Sequence, residues 1–230
     1  MTRLRDITRA EQSSEQGITL VELIVAMFLG AIVIALVAGM YLGLSRVVQV
    51  GNTSNNSTKA ASLAMTEVSA ALRFATTNPI VGNQLPDPAF VSASNESVTV
   101  NSYIDASPAS PQPVQVNFSL DSSRRLIETR YASHLVSGNW VFYTTAIWSR
   151  ILTGAVVAQS GSEPYLFTYL DSSNAVIVPG SNGLTSAQYP TVAAVKVTVK
   201  LASASTGGAS PVVLQNTVGL PNLGINRTGQ

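Results

Sequence analysis

The stretch that most constrains this chain runs from Gly17 to Val48 and is apolar almost throughout. No charged residue occurs from Leu23 to Ser45. A helix over those 23 residues would be about 34 Å long, which is enough to cross a hydrocarbon core of about 30 Å. A secretory signal has an apolar core of only about 7–15 residues before its cleavage site. The stretch is therefore predicted to stay in the mature protein as a membrane-spanning helix.

A single carboxylate, Glu22, lies at the start of this apolar stretch, and no Lys or Arg lies within a helical turn of it. Removing a carboxylate from water is costly unless a partner offsets the cost. If the chain were cut after Gly17, the new amino group of Ile18 would be a cation, and every neighbouring copy would carry the same one. Glu22 is therefore predicted to pair with an amino terminus.

These residues resemble the N-terminus of type IV pilins and type II secretion pseudopilins. The shared pattern is a polar leader ending in Gly17, the run ITLVEL that follows it, and an unbroken apolar helix. The resemblance implies that a prepilin peptidase cleaves between Gly17 and Ile18 and N-methylates Ile18, and that Glu22 acts in assembly. Ile18 departs from the phenylalanine usual at the first mature position. The alternative interpretation is an ordinary signal anchor with an incidental glutamate.

The order of segments predicts a single-pass inner-membrane protein with an exported head, which would be extracellular or periplasmic once in a filament. The basic residues Arg3, Arg5 and Arg9 precede the apolar stretch and mark its cytoplasmic side. The predicted division is a leader peptide over 1–17, a transmembrane stalk helix over 18–50, a linker over 51–58, an amphipathic helix over 59–78 and a β-rich head over 79–230.

Small residues recur every four positions within the stalk, at Ala31, Ala35, Gly39 and Gly43. Such a ridge lets helices approach closely, so it is predicted to pack against the stalks of other pilins. The alternative is that Gly and Ala are simply common in membrane helices.

The segment after Val50, GNTSNNST, has low helix propensity and is predicted to break the helix. A helical apolar spacing resumes at Lys59, and Asn78-Pro79 should end that helix. The predicted apolar face consists of Ala61, Ala64, Met65, Val68, Ala71, Leu72 and Ala75.

Short alternating or β-branched segments follow, separated by turn sequences such as DSSR and LDSSN, which predicts antiparallel sheet. The fold class is therefore α+β and pilin-like: a long N-terminal α-helix, transmembrane stalk plus amphipathic half, packed on an antiparallel β-sheet head. The predicted strands cover 97–104, 114–120, 126–131, 140–145, 165–170, 175–178, 192–201 and 212–218.

Several head segments resemble the J-type pseudopilin or W-type minor pilin pattern. They are the residues 151–157, the run LFTYLD at a turn, the run VKVTV, and the run VGLPNL near the end. Those subfamilies usually end in a Leu-Arg-Asn strand, where this chain has Leu220-Pro221-Asn222.

The inventory of reactive residues is small. The chain has no cysteine and one histidine, His134, which excludes disulfides and thiol chemistry. A Ser-His-Asp site would need His134 with Asp121 or Asp105, and no nucleophile motif supports it. No metal-ligand spacing or phosphate-binding glycine motif occurs, and Asp171 to Asn174 is predicted to be a hairpin turn. Enzyme activity, cofactors and metals are not expected.

Nucleic acid is not expected as a partner, because the 13 basic and 12 acidic residues nearly balance. Arg124, Arg125 and Arg130 form a cluster of basic residues in the head. We interpret this cluster as a solvated strand edge rather than as a DNA-binding site, and on a strand Arg124 and Arg130 would share one face. The tryptophans Trp140 and Trp148 are predicted to be core anchors.

The sequence thus predicts a structural subunit, a minor pilin or pseudopilin that assembles into or primes a filament. The implied partners are a prepilin peptidase, other pilins or pseudopilins, the inner-membrane assembly platform and the membrane itself. The first alternative is a filament-borne adhesin or DNA-uptake pilin, and the second is a membrane-anchored envelope enzyme.

Overall fold

The computed structural model describes residues 17–83, 85–104, 112–161, 163–202 and 211–223. The predicted leader up to residue 16 and Asp105 lie outside these residues. Contacts divide the chain into two compact units, Met1–Val48 and Gln49–Gln230, and each is described by itself.

One α-helix and eleven strands make up the regular structure of the described residues, together with two short 3-10 helices, Tyr189–Thr191 and Pro221–Leu223. The helix is α1 (Leu20–Arg73), and the strands are β1 (Phe90–Ala93), β2 (Val98–Ser102), β3 (Val114–Leu120), β4 (Arg125–Tyr131), β5 (Ser133–Val136), β6 (Asn139–Phe142), β7 (Trp148–Ala155), β8 (Phe167–Leu170), β9 (Val176–Ile177), β10 (Ala194–Leu201) and β11 (Val212–Gly219).

The first part of α1, up to Val48, is apolar and exposed. Large side chains such as Ile34, Met40 and Leu42 are exposed along it. By length and composition α1 is able to span a membrane. The prediction of one long N-terminal apolar helix is confirmed.

The predicted break at 51–58 is wrong as to backbone conformation, because all eight residues are helical within α1. Asn, Ser and Thr lie only about 0.7 kcal/mol or less below Ala in helix propensity, and no proline interrupts the segment. Elongating an existing helix is also far cheaper than starting one. The Thr58 hydroxyl donates to the carbonyl of Ser54 at 2.9 Å, so this polar group is satisfied inside the helix.

The last part of α1 lies in the core of the head. The predicted apolar face is confirmed, with Met65 partly buried and the other members fully buried. The helix ends at Arg73, earlier than the predicted 78, because the chain joins the sheet there. Ala75 forms a β-bridge with Ser102, and the Thr76 N–H donates to the carbonyl of Asn101 at 2.9 Å.

All strand pairs of the head are antiparallel, which confirms the α+β pilin-like fold class. The strands form a sheet in the order β1-β2-β3-β4-β7, a sheet in the order β11-β10-β8-β9, and the hairpin β5-β6. One core draws Phe118 from the first sheet, Tyr169 from the second and Leu72 from α1. The strands β1, β5 and β7 were not predicted.

A group of four charged side chains connects α1 to the five-stranded sheet. Glu128 on β4 is fully buried and binds the Nε of Arg130 at 2.7 Å and the Nη2 of Arg150 at 2.8 Å. The same Nη2 lies 2.8 Å from a carboxylate oxygen of Glu67 on α1. Both guanidinium groups lie over the Trp148 ring, at 4.7 and 5.0 Å from its centroid. These contacts fix the helix against β4 and β7.

Replacing Glu128 by Ala should lower the free energy of unfolding by about 3 kcal/mol or more, because two arginines lose their buried partner. The matched control is Glu163→Ala, whose pair with Lys200 is partly exposed and should be worth about 1 kcal/mol or less. Urea unfolding of the two variants measures the difference. Equal losses would show that the buried group does not hold the head together.

The fragment 51–230 should fold alone, since it keeps every α1 residue that the core buries. The fragment 76–230 should not fold, because it lacks that helix face. Near-UV circular dichroism should show a cooperative melt for the first fragment only. Aggregation of fragment 51–230 without such a melt would mean that the head depends on the stalk or on a partner.

Candidate processing and assembly site

The start of α1 is built by a capping box between Thr19 and Glu22. The Thr19 N–H and hydroxyl both donate to Oε2 of Glu22 at 3.0 Å, and the Glu22 N–H donates to the Thr19 hydroxyl at 3.2 Å. The first helical bond joins the Leu23 N–H to the Thr19 carbonyl at 3.1 Å. A threonine followed three residues later by a glutamate satisfies helix donors that otherwise lack a partner, which explains why the helix begins here.

Glu22 therefore has a local hydrogen-bond partner, Thr19, which opposite charge alone does not predict. The pattern Thr-x-x-Glu ahead of an apolar run was the signal that would have found it. The other carboxylate oxygen, Oε1, takes part in none of these three hydrogen bonds. Glu22 is exposed, so Oε1 can accept a donor from outside the chain.

The predicted cleavage point, between Gly17 and Ile18, lies in non-helical and exposed chain just before α1. Accessible backbone outside regular structure is where proteases cut most readily. A Cβ added at Gly17 would meet nothing within 4 Å. The packing of this chain therefore does not require glycine there, and any such requirement would come from the enzyme.

The small-residue ridge of Ala31, Ala35, Gly39 and Gly43 is exposed along α1. A Cβ at Gly39 or Gly43 would also meet nothing within 4 Å. The contacts of this chain do not explain why these residues are small, so packing against other helices stays a prediction.

In the head, the structure does not join His134 to Asp121. His134 lies on β5 and stacks on Tyr143, with 4.3 Å between the ring centroids, and its Nδ1 is buried without a hydrogen-bond partner. The Asp121 carboxylate binds the backbone N–H of Arg125 at 2.8 Å and its Nε at 2.7 Å. No group of three or more His, Cys, Asp or Glu side chains with metal-ligand geometry occurs in the part of the chain that the structure describes.

Two turns of similar sequence, DSSR and DSSN, have the same geometry. In each, the first Asp accepts backbone hydrogen bonds across the turn, and the last residue, Arg124 or Asn174, has a positive φ. Asp171 is thus in a hairpin turn, as predicted. The backbone N–H of Arg125 lowers the pKa of Asp121, and the Ser173 hydroxyl and Ala175 N–H lower the pKa of Asp171.

The three neighbouring basic residues Arg124, Arg125 and Arg130 are each paired with a carboxylate. Arg124 binds Glu96 at 2.7 Å, Arg125 binds Asp121 at 2.7 Å, and Arg130 belongs to the group around Glu128. The expectation that Arg124 shares a strand face with Arg130 is wrong, because Arg124 lies in the turn before β4. Pairing leaves little free positive charge for a nucleic acid at this place.

The two tryptophans are not core anchors, which corrects the prediction. Both are half-buried. Trp148 receives the guanidinium groups of Arg130 and Arg150, and Trp140 lies on β6 at the edge of a cleft. Arg130 comes to Trp148 from the neighbouring strand β4, and sequence spacing did not reveal this contact.

Comparison with known proteins gives one finding at the start of α1. A family model described as the prokaryotic N-terminal methylation motif matches residues 12–38. No curated protein matches the chain. The matched residues include Gly17, Ile18 and the capping box, and the match supports the type IV pilin and pseudopilin superfamily. The motif implies processing by a prepilin peptidase and assembly with other pilins, and with the apolar helix it supports a membrane-anchored protein with a head domain. Proteins with this motif are generally structural.

Proposed function

We propose that this chain is a minor pilin or pseudopilin of a type IV pilus or a type II secretion pseudopilus. A prepilin peptidase cleaves it between Gly17 and Ile18 and N-methylates Ile18. The inner-membrane assembly platform then brings the stalk helix into contact with other pilins, and the head becomes extracellular or periplasmic. The observation that carries this proposal is the methylation motif over residues 12–38, at the start of an apolar helix.

Glu22 has the main role in assembly. At the membrane interface its carboxylate stays hydrated and costs little. In a bundle of stalk helices water is withdrawn, and a carboxylate without a partner would cost several kcal/mol. An amino terminus at hydrogen-bonding distance offsets this cost. Oε1 is available for that bond while Oε2 keeps the contacts with Thr19. The pairing sets the register between neighbouring subunits.

Ala31, Ala35, Gly39 and Gly43 form the packing ridge of the stalk in this proposal. Their small size gives backbones close approach, which is the main source of attraction between helices in an apolar medium. The J-type or W-type pattern of the head favours a minor subunit, which primes a filament or occupies its end.

The alternatives have less support. A DNA-uptake pilin would present free basic side chains, and Arg124, Arg125 and Arg130 are each paired with a carboxylate. An envelope enzyme would need a group of reactive side chains, and His134 and Asp121 have separate partners.

Gly17→Val should leave a full-length precursor in the membrane, because the added side chain would crowd the scissile bond in the peptidase. The control Ile18→Val changes the other side of that bond conservatively and should still be cleaved. Mass spectrometry of the purified proteins reads the N-terminus. Finding Ile18 as the first residue of the Gly17→Val protein would contradict the proposal.

Two variants separate the charge of Glu22 from its capping role. Glu22→Gln keeps an acceptor for the capping box but removes the charge, and Glu22→Leu removes both. Both variants should be inserted and cleaved like the wild type and be depleted from sheared filaments, as immunoblots of the membrane and filament fractions measure. Thr19→Val, which weakens the cap and keeps the charge, is the control and should still be incorporated.

The outcomes of this experiment decide between two explanations. If Glu22→Gln enters filaments normally while Glu22→Leu does not, the helix cap is the assembly determinant and the charge is not. If both variants enter normally, with cleavage confirmed, the plain signal-anchor interpretation is favoured.

A further inference from the structure

A cleft of about 410 Å³ in the head has no part in the function proposed above. The strand β6, the strands β1 to β3 and the 3-10 helix Tyr189–Thr191 contribute its walls. Small-molecule sites are typically clefts of about 300–1,000 Å³ lined by aromatic side chains and a few polar groups. The cleft is therefore large enough for a small ligand.

Aromatic rings form the apolar part of the cleft. Trp140 and Phe142 lie two residues apart on β6, so their side chains are on one face of the hairpin. Tyr189 stacks on the buried ring of Phe90, with 6.0 Å between the centroids. Trp140, Phe142 and Tyr189 are only half-buried, so apolar ring surface remains for a ligand.

Amide side chains form the polar part. The Gln115 Nε2 donates to Oδ1 of Asn101 at 3.3 Å, while the Gln115 Oε1 accepts no hydrogen bond from a described residue. The Asn78 Nδ2 donates to the carbonyl of Trp140 at 3.0 Å, and its Oδ1 has no partner although Asn78 is only 6% exposed. The Gln115 Oε1 is thus left for a donor that this chain does not supply, whereas the Asn78 Oδ1 has almost no surface that a ligand could reach.

The charge of the cleft disfavours anions. Among the described residues that line it, none is Lys, Arg or His, and Asp87 carries a charge. A carboxylate repels phosphate and acidic ligands and accepts hydrogen bonds from hydroxyl groups.

The walls are held in place by the rest of the head. The Val81 N–H donates to Oδ1 of Asn139 at 2.6 Å, which fixes the hairpin beside the chain after α1. The turn residues Ser137 and Gly138 have φ of 50° and 81°, the conformation of the tight two-residue turns that suit twisted hairpins. A preformed cleft loses little entropy on binding.

We infer that this cleft binds a neutral saccharide. A sugar ring has an apolar C–H face, which fits the rings of Trp140 and Tyr189. Its hydroxyl groups both donate and accept, which fits amides and one carboxylate and needs no cation. The site is separate from the stalk, and it gives the exported head a binding function in addition to assembly.

The test uses the full chain in a polyoxyethylene detergent, which carries neither a sugar nor a quaternary ammonium headgroup. The probes are the methyl glycosides of glucose, galactose, mannose and N-acetylglucosamine, with glucuronic acid as the anionic comparison and choline as the cationic one. Saturation-transfer NMR measures binding. The chain has two tryptophans, so in Trp148→Phe the fluorescence reports Trp140 alone.

At least one neutral glycoside should bind saturably and shift the Trp140 emission. Trp140→Ala should weaken that binding about tenfold through loss of stacking, while Trp148→Phe should leave it unchanged. If Trp140→Ala loses its cooperative melt, Gln115→Leu, with the melt retained, replaces it and should also weaken binding.

Three results would overturn the inference. They are no saturable binding of any neutral glycoside, binding of choline or glucuronic acid in preference to the neutral glycosides, and unchanged affinity in a folded Trp140→Ala or Gln115→Leu variant.

Discussion

The apolar surface of α1 is the constraint on which the rest of the structure depends. Burial of apolar area is worth roughly 25 cal/mol per Å², so a helix with apolar side chains exposed all along its first part is unstable in water. That part requires an apolar medium or other apolar helices. Farther along, the same helix presents the small residues Ala61, Ala64 and Ala71 to a sheet that buries them fully. One helix thus meets two kinds of environment, and its sequence changes accordingly from apolar on all sides to apolar on one face.

The head contains a buried group of ion pairs at a place where a protein core normally has apolar contacts. Glu128 is fully buried, and it is stable there because Arg130 and Arg150 bind both of its oxygens while Glu67 on α1 binds Arg150 in turn. Such a group contributes less to stability than apolar packing of the same volume, but it is sensitive to the loss of any member. Its geometry also defines one position of the helix on the sheet.

The sequence predicted those features that repeat along the chain. Alternation located β3 within its observed bounds, and the helical spacing from Ala61 to Ala75 identified the buried face of α1. Features built from distant residues were missed, such as the contact between Glu67 and Arg130, which are 63 residues apart. The helical conformation of residues 51–58 was missed because propensity describes single residues, whereas a helix already formed on both sides extends through weak positions at little cost. At the candidate site, the motif predicted Gly17, Ile18 and Glu22, but only the structure connected Glu22 to Thr19.

The capping box bears on whether the stalk helix can form before the leader is removed. The donor nearest the cleavage point is the N–H of Thr19, which belongs to the peptide bond between Ile18 and Thr19. Removal of a leader at Gly17 breaks the preceding bond, and a methyl group on the new terminus would be placed on a different nitrogen. The hydrogen bonds of the capping box would therefore be the same before and after cleavage. Formation of this cap would therefore not depend on cleavage, and a cut after Gly17 would change only the residues that precede the helix.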